Sequence, residues 1–206
     1  MASASAKFTQ HLGARLSERL EGRFRFLKSR SELRADAPNG QDVLILHVSA
    51  KYSPHVSVAF YFGRNFTRVK DLEKRFGLYQ FPCHIQQFSL SRKAMSGLPY
   101  DGPFQWSVDI TRPPETLTDE IAAAVEGVAD PFFRRYSSLD VAREALAAND
   151  PWCFGGPAFW RQLLHVDLAL GDLAHFEEWS KALSAFDKAQ ADQVIEEYCK
   201  KAAAAA

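Results

Sequence analysis

Residues 43–62, VLILHVSAKYSPHVSVAFYF, restrict the fold of this chain more than any other stretch of its sequence. They contain two apolar runs, residues 43–48 and 56–62, which are rich in β-branched and aromatic side chains and are separated by a short polar segment. This pattern is typical of two β-strands joined by a turn. Because proline has no N–H group and a fixed φ angle, we expect the second strand to begin after Pro54.

Side chains alternate between the two faces of a strand, so the hairpin is predicted to have one continuous apolar face. A turn centred near Lys51 places Leu46 opposite Val56, and it makes His47 and His55 cross-strand neighbours. The apolar face then consists of Leu44, Leu46, Val56, Val58, Phe60 and Phe62. Such a face must be covered, and the helices of the chain are the candidates for covering it.

The two histidines of the hairpin raise the question of a metal site. Neutral imidazoles bind zinc and nickel well, so His47 and His55 would supply half of a ligand set. No cysteine or acidic residue lies close to them in the sequence to complete that set. The alternative is a pair of polar residues near the end of a hairpin, and we predict neither a metal nor a cofactor for this protein.

The 206 residues suit one domain, or one domain with a helical extension. The three cysteines, Cys83, Cys153 and Cys199, are far apart and form no CxxC pair, which favours a reducing compartment over a disulfide framework. The first residues lack the apolar core of a signal peptide, and no apolar run approaches the length of a membrane span. We therefore expect a cytoplasmic protein that does not bind a membrane.

Charge is distributed unevenly along a chain whose formal net charge is zero. Residues 1–112 hold 17 lysines and arginines against 9 aspartates and glutamates, whereas residues 113–206 hold 8 against 16. One interpretation is a basic surface on the N-terminal half that meets an acidic partner. The other is that the two surfaces attract each other within one fold, or simply face water.

A short amphipathic helix is predicted at residues 66–76, ending at Gly77. Its outer face, together with one arginine before it, forms the densest basic patch of the sequence: Arg64, Arg68, Lys70, Lys74 and Arg75. These cations are candidates for contacting an acidic protein or phosphate groups, and the alternative is an ordinary solvated face. No aromatic side chains accompany them for base stacking, so we do not expect nucleic acid to be the partner.

Familiar catalytic motifs are missing from the sequence, which has no phosphate-binding loop, no dinucleotide-binding glycine pattern and no GxSxG motif. His84 is a candidate acid or base in a cleft of the sheet. Cys153 is a candidate nucleophile because it precedes a predicted helix, and the competing interpretation is a thiol packed in the core. With His47 and His55 they define a candidate pocket between the sheet and the helical tail.

The rest of the chain divides into a β-rich part and a helical part. Period-two patterns predict further strands at residues 23–28, 84–90 and 104–110. Helical patterns cover residues 7–20, 118–128, 141–148, 157–170, 173–186 and 188–201. Residues 31–41 are predicted to be a polar segment with a turn, and Gly63 to break the second hairpin strand. Thr118 and Ser137 are predicted helix caps, and Pro131 is predicted to begin a new helical turn.

Several apolar segments occur along the chain in a characteristic order. They are Phe24 and Phe26, residues 44–48, residues 58–63, and the PFF motif at residues 131–133 followed by residues 137–139. This order resembles a bacterial family classified as a domain of unknown function. The resemblance covers most of the chain, but it is a pattern of apolar positions and implies no activity for a particular residue. Some small cytoplasmic proteins of this kind are similar to toxin-neutralising immunity proteins, which is an analogy at the level of the fold.

Together these patterns predict an α+β fold: an antiparallel sheet of four to six strands packed with helices, plus an all-α C-terminal helical extension. Residues 1–112 would form the sheet domain and residues 113–206 the extension, packed on it as one cooperative unit. We predict a cytoplasmic protein–protein interaction module, of immunity or accessory type, that binds another protein. One alternative is a small-molecule-binding protein or enzyme with a pocket between sheet and tail. Another is nucleic-acid binding through the basic N-terminal half, and the sequence leaves the oligomeric state open.

Overall fold

An antiparallel β-sheet, with six strands in the described part of the chain, forms the framework of this protein, whose structure is a computed structural model. The structure describes residues 3–52, 54–87, 100, 102–153 and 159–204. Helices pack on the sheet, and the C-terminal part of the chain is helical, so the predicted α+β fold with four to six antiparallel strands is confirmed. Within the described residues, no helix has both the length and the apolar character needed to cross a membrane.

The strands in chain order are β1 (Arg25–Leu27), β2 (Glu32–Ala37), β3 (Gly40–Tyr52), β4 (His55–Phe66), β5 (Ile85–Gln87) and β6 (Gln105–Asp109). The first five lie side by side in that order, and β6 also pairs with β4. β5 and β6 therefore share one edge of β4, where β5 pairs with residues 62–64 and β6 with residues 55–59. The long β3–β4 hairpin is the centre of the sheet.

The register of the β3–β4 hairpin differs from the prediction. His47 pairs with Ala59 and not with His55, and the other predicted pairs are displaced in the same way. The reason is the turn, which follows Tyr52 and so comes later in the chain than predicted. Because the displacement is an even number of residues, every side chain keeps its face. The predicted apolar face is therefore confirmed, and all six of its residues are buried.

Two other predictions for the sheet are wrong. Residues 31–41, predicted to be a polar segment with a turn and not a strand, contain β2, and the turn at Asn39, with a φ of 66°, follows the prediction. Gly63 does not end β4, which continues beyond it. It is a glycine because Cys83 approaches so closely that a Cβ atom on residue 63 would lie 2.7 Å from the Cys83 Cβ. The last residues of the strand predicted at 84–90 lie outside the described residues.

The helices are α1 (Ala4–Arg19), α2 (Thr67–Phe76), α3 (Leu117–Ala124), α4 (Asp130–Arg135), α5 (Leu139–Ala147), α6 (Phe159–Leu170), α7 (Leu173–Trp179) and α8 (Ala185–Ala204). A 3₁₀ turn at Ser180–Ala182 follows α7, so the helix predicted at residues 173–186 is interrupted before α8. The beginning of the helix predicted at residues 157–170 lies outside the described residues.

Pro131 lies in the first turn of α4, as predicted, but α4 does not start from a loop. α3 continues into α4 through a π-helical turn at Val125–Ala129, in which the Asp130 N–H donates to the Val125 carbonyl. Proline has no N–H to donate, and its ring crowds the preceding turn of a regular helix. The wider π-helical turn just before it lets one continuous helix pass through Pro131.

Local hydrogen bonds and glycine set several helix ends. Ser138, one residue after the predicted cap Ser137, caps α5 by accepting the N–H of Val141. Thr118, predicted as an N-cap, lies inside the first turn of α3. Gly77 ends α2 as predicted, with a left-handed φ of 60° that glycine adopts without strain.

Aromatic side chains fill the space between the apolar face of the hairpin and the helices. Phe62 is at the centre, with its ring centroid 5.0 Å from that of Phe132 and 6.2 Å from that of Phe133, both edge-to-face. The same core includes buried residues of both residues 1–112 and residues 113–206. The division of the chain between these two segments stays a prediction.

A buried ion pair joins the sheet to the helical segment. Arg64, only 3% exposed, donates from Nε and Nη2 to the Asp42 Oδ1, both at 2.6 Å. Its Nη1 donates to the carbonyl of Tyr136, the residue that ends α4, at 3.2 Å. Burial raises the pKa of Asp42 although the Arg64 charge opposes this. One arginine thus connects two neighbouring strands to the helix that crosses the core.

Replacing Phe62 with alanine is expected to lower the free energy of unfolding by about 3–5 kcal/mol, because it empties the centre of the aromatic core. Urea denaturation measures this change. Phe186 in α8 is 71% exposed, so Phe186→Ala is the matched control and should change stability by no more than about 0.5 kcal/mol. Equal effects of the two substitutions would contradict this description of the core.

Candidate functional site

A cavity of about 350 Å³ lies where the loop after α2 meets α6 and α8. Most of its wall is apolar and consists of Leu78, Tyr79, Phe81, Trp160, Leu164 and Val194. The polar side chains on the wall are Arg161, His165, Gln190, Gln193 and Glu197. The sequence predicted a pocket between the sheet and the tail, but with a different set of residues.

The loop after α2 supplies an aromatic wall because Gly77 turns the chain away from the helix axis. The Tyr79 ring packs edge-to-face on Phe81 at a centroid distance of 4.8 Å. The Phe81 ring packs in turn on the imidazole of His165 at 5.1 Å. Since Tyr79 is 68% exposed and His165 is buried, this row of rings runs from solvent to the inside of the cavity.

Behind the cavity, the carboxylate of Glu73 lies between two imidazole rings. Its Oε1 is 2.8 Å from Nδ1 of His165, and its Oε2 is 3.4 Å from Nε2 of His84. All three residues are buried, and Glu73 completely so. α2 provides Glu73, α6 provides His165, and the segment just before β5 provides His84, so three separate parts of the chain meet at one carboxylate.

The hydrogen-bond partners determine which ring nitrogens carry protons. Nδ1 of His84 accepts the backbone N–H of Phe66 at 2.8 Å, so the neutral His84 ring has its proton on Nε2, facing Glu73. An ionised carboxylate only accepts hydrogen bonds, so His165 carries its proton on Nδ1. The neutral His165 ring therefore has its lone pair on Nε2. Because Nδ1 is engaged by Glu73 and His165 lines the cavity, Nε2 is the ring nitrogen left for a ligand.

The electrostatic surroundings favour an ionised Glu73 beside a neutral His84. Burial opposes the negative charge, but the hydrogen bond from His165 and the nearby ring of His84 together outweigh it, and the pKa of Glu73 is lowered. Burial lowers the pKa of His84 despite the nearby carboxylate. The contact between Glu73 Oε2 and His84 Nε2 is long, and neither atom has a regular hydrogen bond within the described structure. His165 is therefore the main partner of the carboxylate.

The pocket residues that the sequence predicted are not brought together. His47 is exposed on β3. His55 begins β4 at the end of the hairpin, whereas the backbone N–H of His84 donates to the Arg64 carbonyl near the other end of the same strand. At the usual rise per residue these two ends of β4 are about 30 Å apart. Only His84 takes part in the site around Glu73, and it does so behind the cavity.

Cys153, the fourth of these residues, is buried in the loop after α5. Gln87 of β5 holds this loop by donating its side-chain N–H groups to the carbonyls of Pro151 and Trp152. Burial raises the pKa of the Cys153 thiol to about 12. A thiol that stays protonated is a poor nucleophile, so the packed-thiol interpretation describes this residue better.

The predicted basic patch is divided by the fold. Four of its five cations are exposed on α2: Arg68, Lys70, Lys74 and Arg75. Arg64 is instead buried against Asp42 and bonded to the end of α4, which removes it from the surface. Binding of a partner by the four exposed cations stays a prediction.

A sequence pattern indicates the burial of one residue of the observed site but not of another. Glu73 lies four residues after Val69 and three before Phe76, which is the spacing of the buried face of α2. An acidic residue at that spacing indicates a buried carboxylate that needs a partner. No such signal marks His165, because α6 is buried on nearly all sides and has no single inward face.

A second buried carboxylate on α6 provides a useful comparison. Asp167 accepts hydrogen bonds from Nε1 of Trp179 at 2.7 Å and from Nδ1 of His175 at 2.8 Å. Burial raises the pKa of Asp167, and the two hydrogen bonds oppose the increase. These bonds hold α7 against α6, and neither Asp167 nor His175 lines the cavity. This pair therefore has a structural role.

Within the ranges that the structure describes, no group of three or more His, Cys, Asp or Glu side chains is arranged to hold a metal ion. A scan against protein-family models and searches of curated proteins and of solved structures found no match. The resemblance to a bacterial family of unknown function thus stays a prediction, and the function has to be argued from the site itself.

The buried His84 predicts a loss of stability in mild acid. Because its pKa is lowered from 6.5 in the folded protein, the unfolded chain takes up a proton first as the pH falls below that value. The free energy of unfolding should then decrease, by at most about 1.4 kcal/mol per pH unit for one proton. His84→Asn should show a smaller decrease, because asparagine keeps an acceptor for the Phe66 N–H but does not titrate.

Urea denaturation at a series of pH values between neutral and mildly acidic measures this difference in slope. His47→Asn, at an exposed position on β3, is the matched control and should behave like the wild-type protein. If His84→Asn and the wild-type protein lose stability with the same slope, the buried histidine does not contribute to the pH dependence.

Proposed function

We propose that this protein binds a small organic ligand in the cavity between the loop after α2 and helices α6 and α8. The observation that carries the proposal is the pairing of His165 with Glu73, in which a buried carboxylate orients the imidazole so that Nε2 can meet a ligand. The ligand would have an apolar body and a hydrogen-bond donor that reaches this nitrogen.

The composition and size of the cavity support this proposal. Small-molecule pockets have volumes of about 300–1,000 Å³ and are lined mainly by apolar and aromatic side chains, with a few polar groups that orient the ligand. A cavity of about 350 Å³ with six apolar and five polar lining side chains fits that description. Buried titratable groups with shifted pKa values are also concentrated at functional sites, and Glu73 and His84 are two such groups.

The wall that α8 contributes is fixed to the rest of the protein near both of its ends. At one end, Nε1 of Trp160 donates to Oδ1 of Asp187 at 3.1 Å. At the other, Nζ of Lys201 donates to the carbonyl of Phe76 at 2.6 Å. A cavity whose walls are already in place loses little entropy when a ligand binds, which favours affinity.

The proposal includes the cytoplasmic location expected from the cysteine pattern. Cys83, Cys153 and Cys199 are free thiols, and two of them are buried. Free thiols are typical of proteins from reducing compartments. The proposal assigns binding to the cavity and no chemical reaction.

Blocking the mouth of the cavity should abolish ligand binding without unfolding the protein. Gln193 is an exposed residue of α8 on the cavity wall, so the indole of Gln193→Trp is expected to occupy ligand space. Cys199→Trp, also exposed on α8 but outside the lining, is the matched control. Saturation-transfer NMR with a panel of neutral aromatic fragments should give hits whose affinity falls at least about tenfold in Gln193→Trp only.

The absence of any fragment hit would refute the proposal. Hits with equal affinity for the wild-type protein and for Gln193→Trp would place binding elsewhere on the surface. Circular dichroism of both tryptophan variants checks that each retains the helical content of the wild-type protein.

A second function, binding of an acidic protein, is favoured by the exposed basic face of α2. Its four cations occupy one short helix and are not covered by other parts of the described structure. A bacterial interaction module of immunity or accessory type would use such a face, and this role stays an expectation from the resemblance. Nucleic acid is the other polyanion that could bind there, and it would show a steep dependence of affinity on salt concentration.

Reversal of charge on α2 tests this second function. A triple variant should bind an acidic protein partner isolated from the source lysate at least about tenfold more weakly than the wild-type protein does. Its substitutions are Arg68→Glu, Lys74→Glu and Arg75→Glu. The control reverses Arg15, Lys28 and Arg30, which are exposed on other elements, and changes the net charge by the same amount. Equal losses in the two triple variants would indicate only a non-specific effect of net charge, and no loss in either would exclude the α2 face.

A further inference from the structure

We propose that the ligand of this cavity is a hydroxylated aromatic compound, a phenol, whose O–H group is directed at Nε2 of His165 and transfers its proton there. The inference rests on the proposed function, because it names the ligand class of the same site. Three features of the cavity carry it: the aromatic wall, the orientation of the imidazole, and the arginine beside the aromatic wall.

The wall of the cavity suits a flat ring. Tyr79, Phe81 and His165 form successive edge-to-face contacts with centroid distances of 4.8 and 5.1 Å, and Trp160 lies on the same cavity. Aromatic rings prefer such edge-to-face and offset arrangements, so a ligand ring can extend the series. The volume of about 350 Å³ is at the small end of the range for ligand pockets, which suits a compound of one or two rings.

The orientation of His165 selects a neutral donor over an anion. Nδ1 is committed to Glu73, so the neutral ring presents a lone pair to the cavity. A fully ionised carboxylate or phosphate brings no proton for that lone pair, so it could be bound there only after His165 had taken up a proton from solvent. An O–H group meets the lone pair as a donor, and the charge of Glu73 makes the imidazole a better acceptor.

Among hydroxyl groups, a phenol is the one that can give up its proton here. A phenolic hydroxyl has an ordinary pKa of about 10, much closer to that of an imidazole than an aliphatic hydroxyl. In the transfer, the ligand O–H bond breaks and an N–H bond forms at Nε2 of His165. The imidazolium keeps its Nδ1–H bond to Glu73, whose charge stabilises it, and no electrons are transferred. The proton returns to the ligand when it leaves.

Arg161 supplies a positive charge for the phenolate. Its exposed side chain places the guanidinium 5.1 Å from the centroid of the Trp160 ring, where it donates to Oε1 of Gln190 at 2.6 Å. Glu197 is the acidic side chain on the same wall, and Glu73 lies behind His165. The cavity therefore presents a cation next to an aromatic surface, with a buried proton acceptor on the same wall.

Titration of bound 4-nitrophenol tests the inference, because its phenolate is coloured and its hydroxyl titrates near neutral pH. With the wild-type protein in excess, the titration midpoint of the probe should fall by at least about one pH unit, a tenfold change in its ionisation constant. His165→Gln, which keeps a group for Glu73 but offers no basic nitrogen, should abolish the shift. Gln193→Trp should abolish it as well by blocking the probe. His175→Gln, which alters the histidine outside the cavity, should leave it unchanged.

The outcomes separate this inference from the proposed function. If 4-nitroanisole and 4-nitrophenol both bind but the midpoint of 4-nitrophenol does not fall, the ligand pocket stands and the phenol inference fails. The inference also fails if the shift persists in His165→Gln, or if other fragments bind and phenols do not. If no small molecule binds the wild-type protein, both the pocket and the inference are refuted.

Discussion

The site depends on the burial of one charged carboxylate, that of Glu73. An isolated ionised carboxylate in the interior of a protein is strongly unfavourable, and it is tolerated only with partners that offset the loss of hydration. His165 and His84 are those partners, and each comes from a different part of the chain. Any arrangement that lets α6 move away from α2 would leave this charge without its main hydrogen bond, so the carboxylate restricts how the helical segment can pack.

The ion pair of Arg64 and Asp42 places a comparable restriction on the other side of β4, because its third hydrogen bond goes to the end of α4. Two surface pairs, Arg19 with Asp119 and Arg23 with Asp130, also connect the basic N-terminal half to the acidic C-terminal half. Part of the charge asymmetry is therefore explained by attraction between the two halves within one fold, which was one of the two interpretations of the sequence. Exposed pairs of this kind contribute little energy each, so the apolar core remains the main source of stability.

The sequence predicted most of the fold because local patterns determine most of it. The alternation of apolar residues along β3 and β4 correctly predicted the buried face. The predicted register was wrong, but by an even number of residues, so each side chain stays on its predicted face. The register itself depended on the position of one turn, and β2 was missed because its pattern is short and polar. Pro131 was correctly placed at the start of a helical segment, but no sequence pattern predicted the π-helical turn that joins this segment to α3. In the site, the spacing of Glu73 on α2 is a sign of burial that the prediction of a solvated face overlooked. The pairing with His165 is a tertiary contact that no local pattern contains.

The position of the cavity links ligand binding to the packing of the last helix. Its walls come from the loop after α2, from α6 and from α8, so a ligand that touches all three can bind only when α8 is in place. Ala191 is the one fully buried residue of α8, which makes this helix dependent on a few side-chain bonds and half-buried contacts. A ligand that binds only the assembled protein stabilises it by about 2.7 kcal/mol when present at about one hundred times its dissociation constant. Since Trp160 and Lys201 already hold α8 in place without a ligand, this stabilisation adds to the packing of the helix and does not create it.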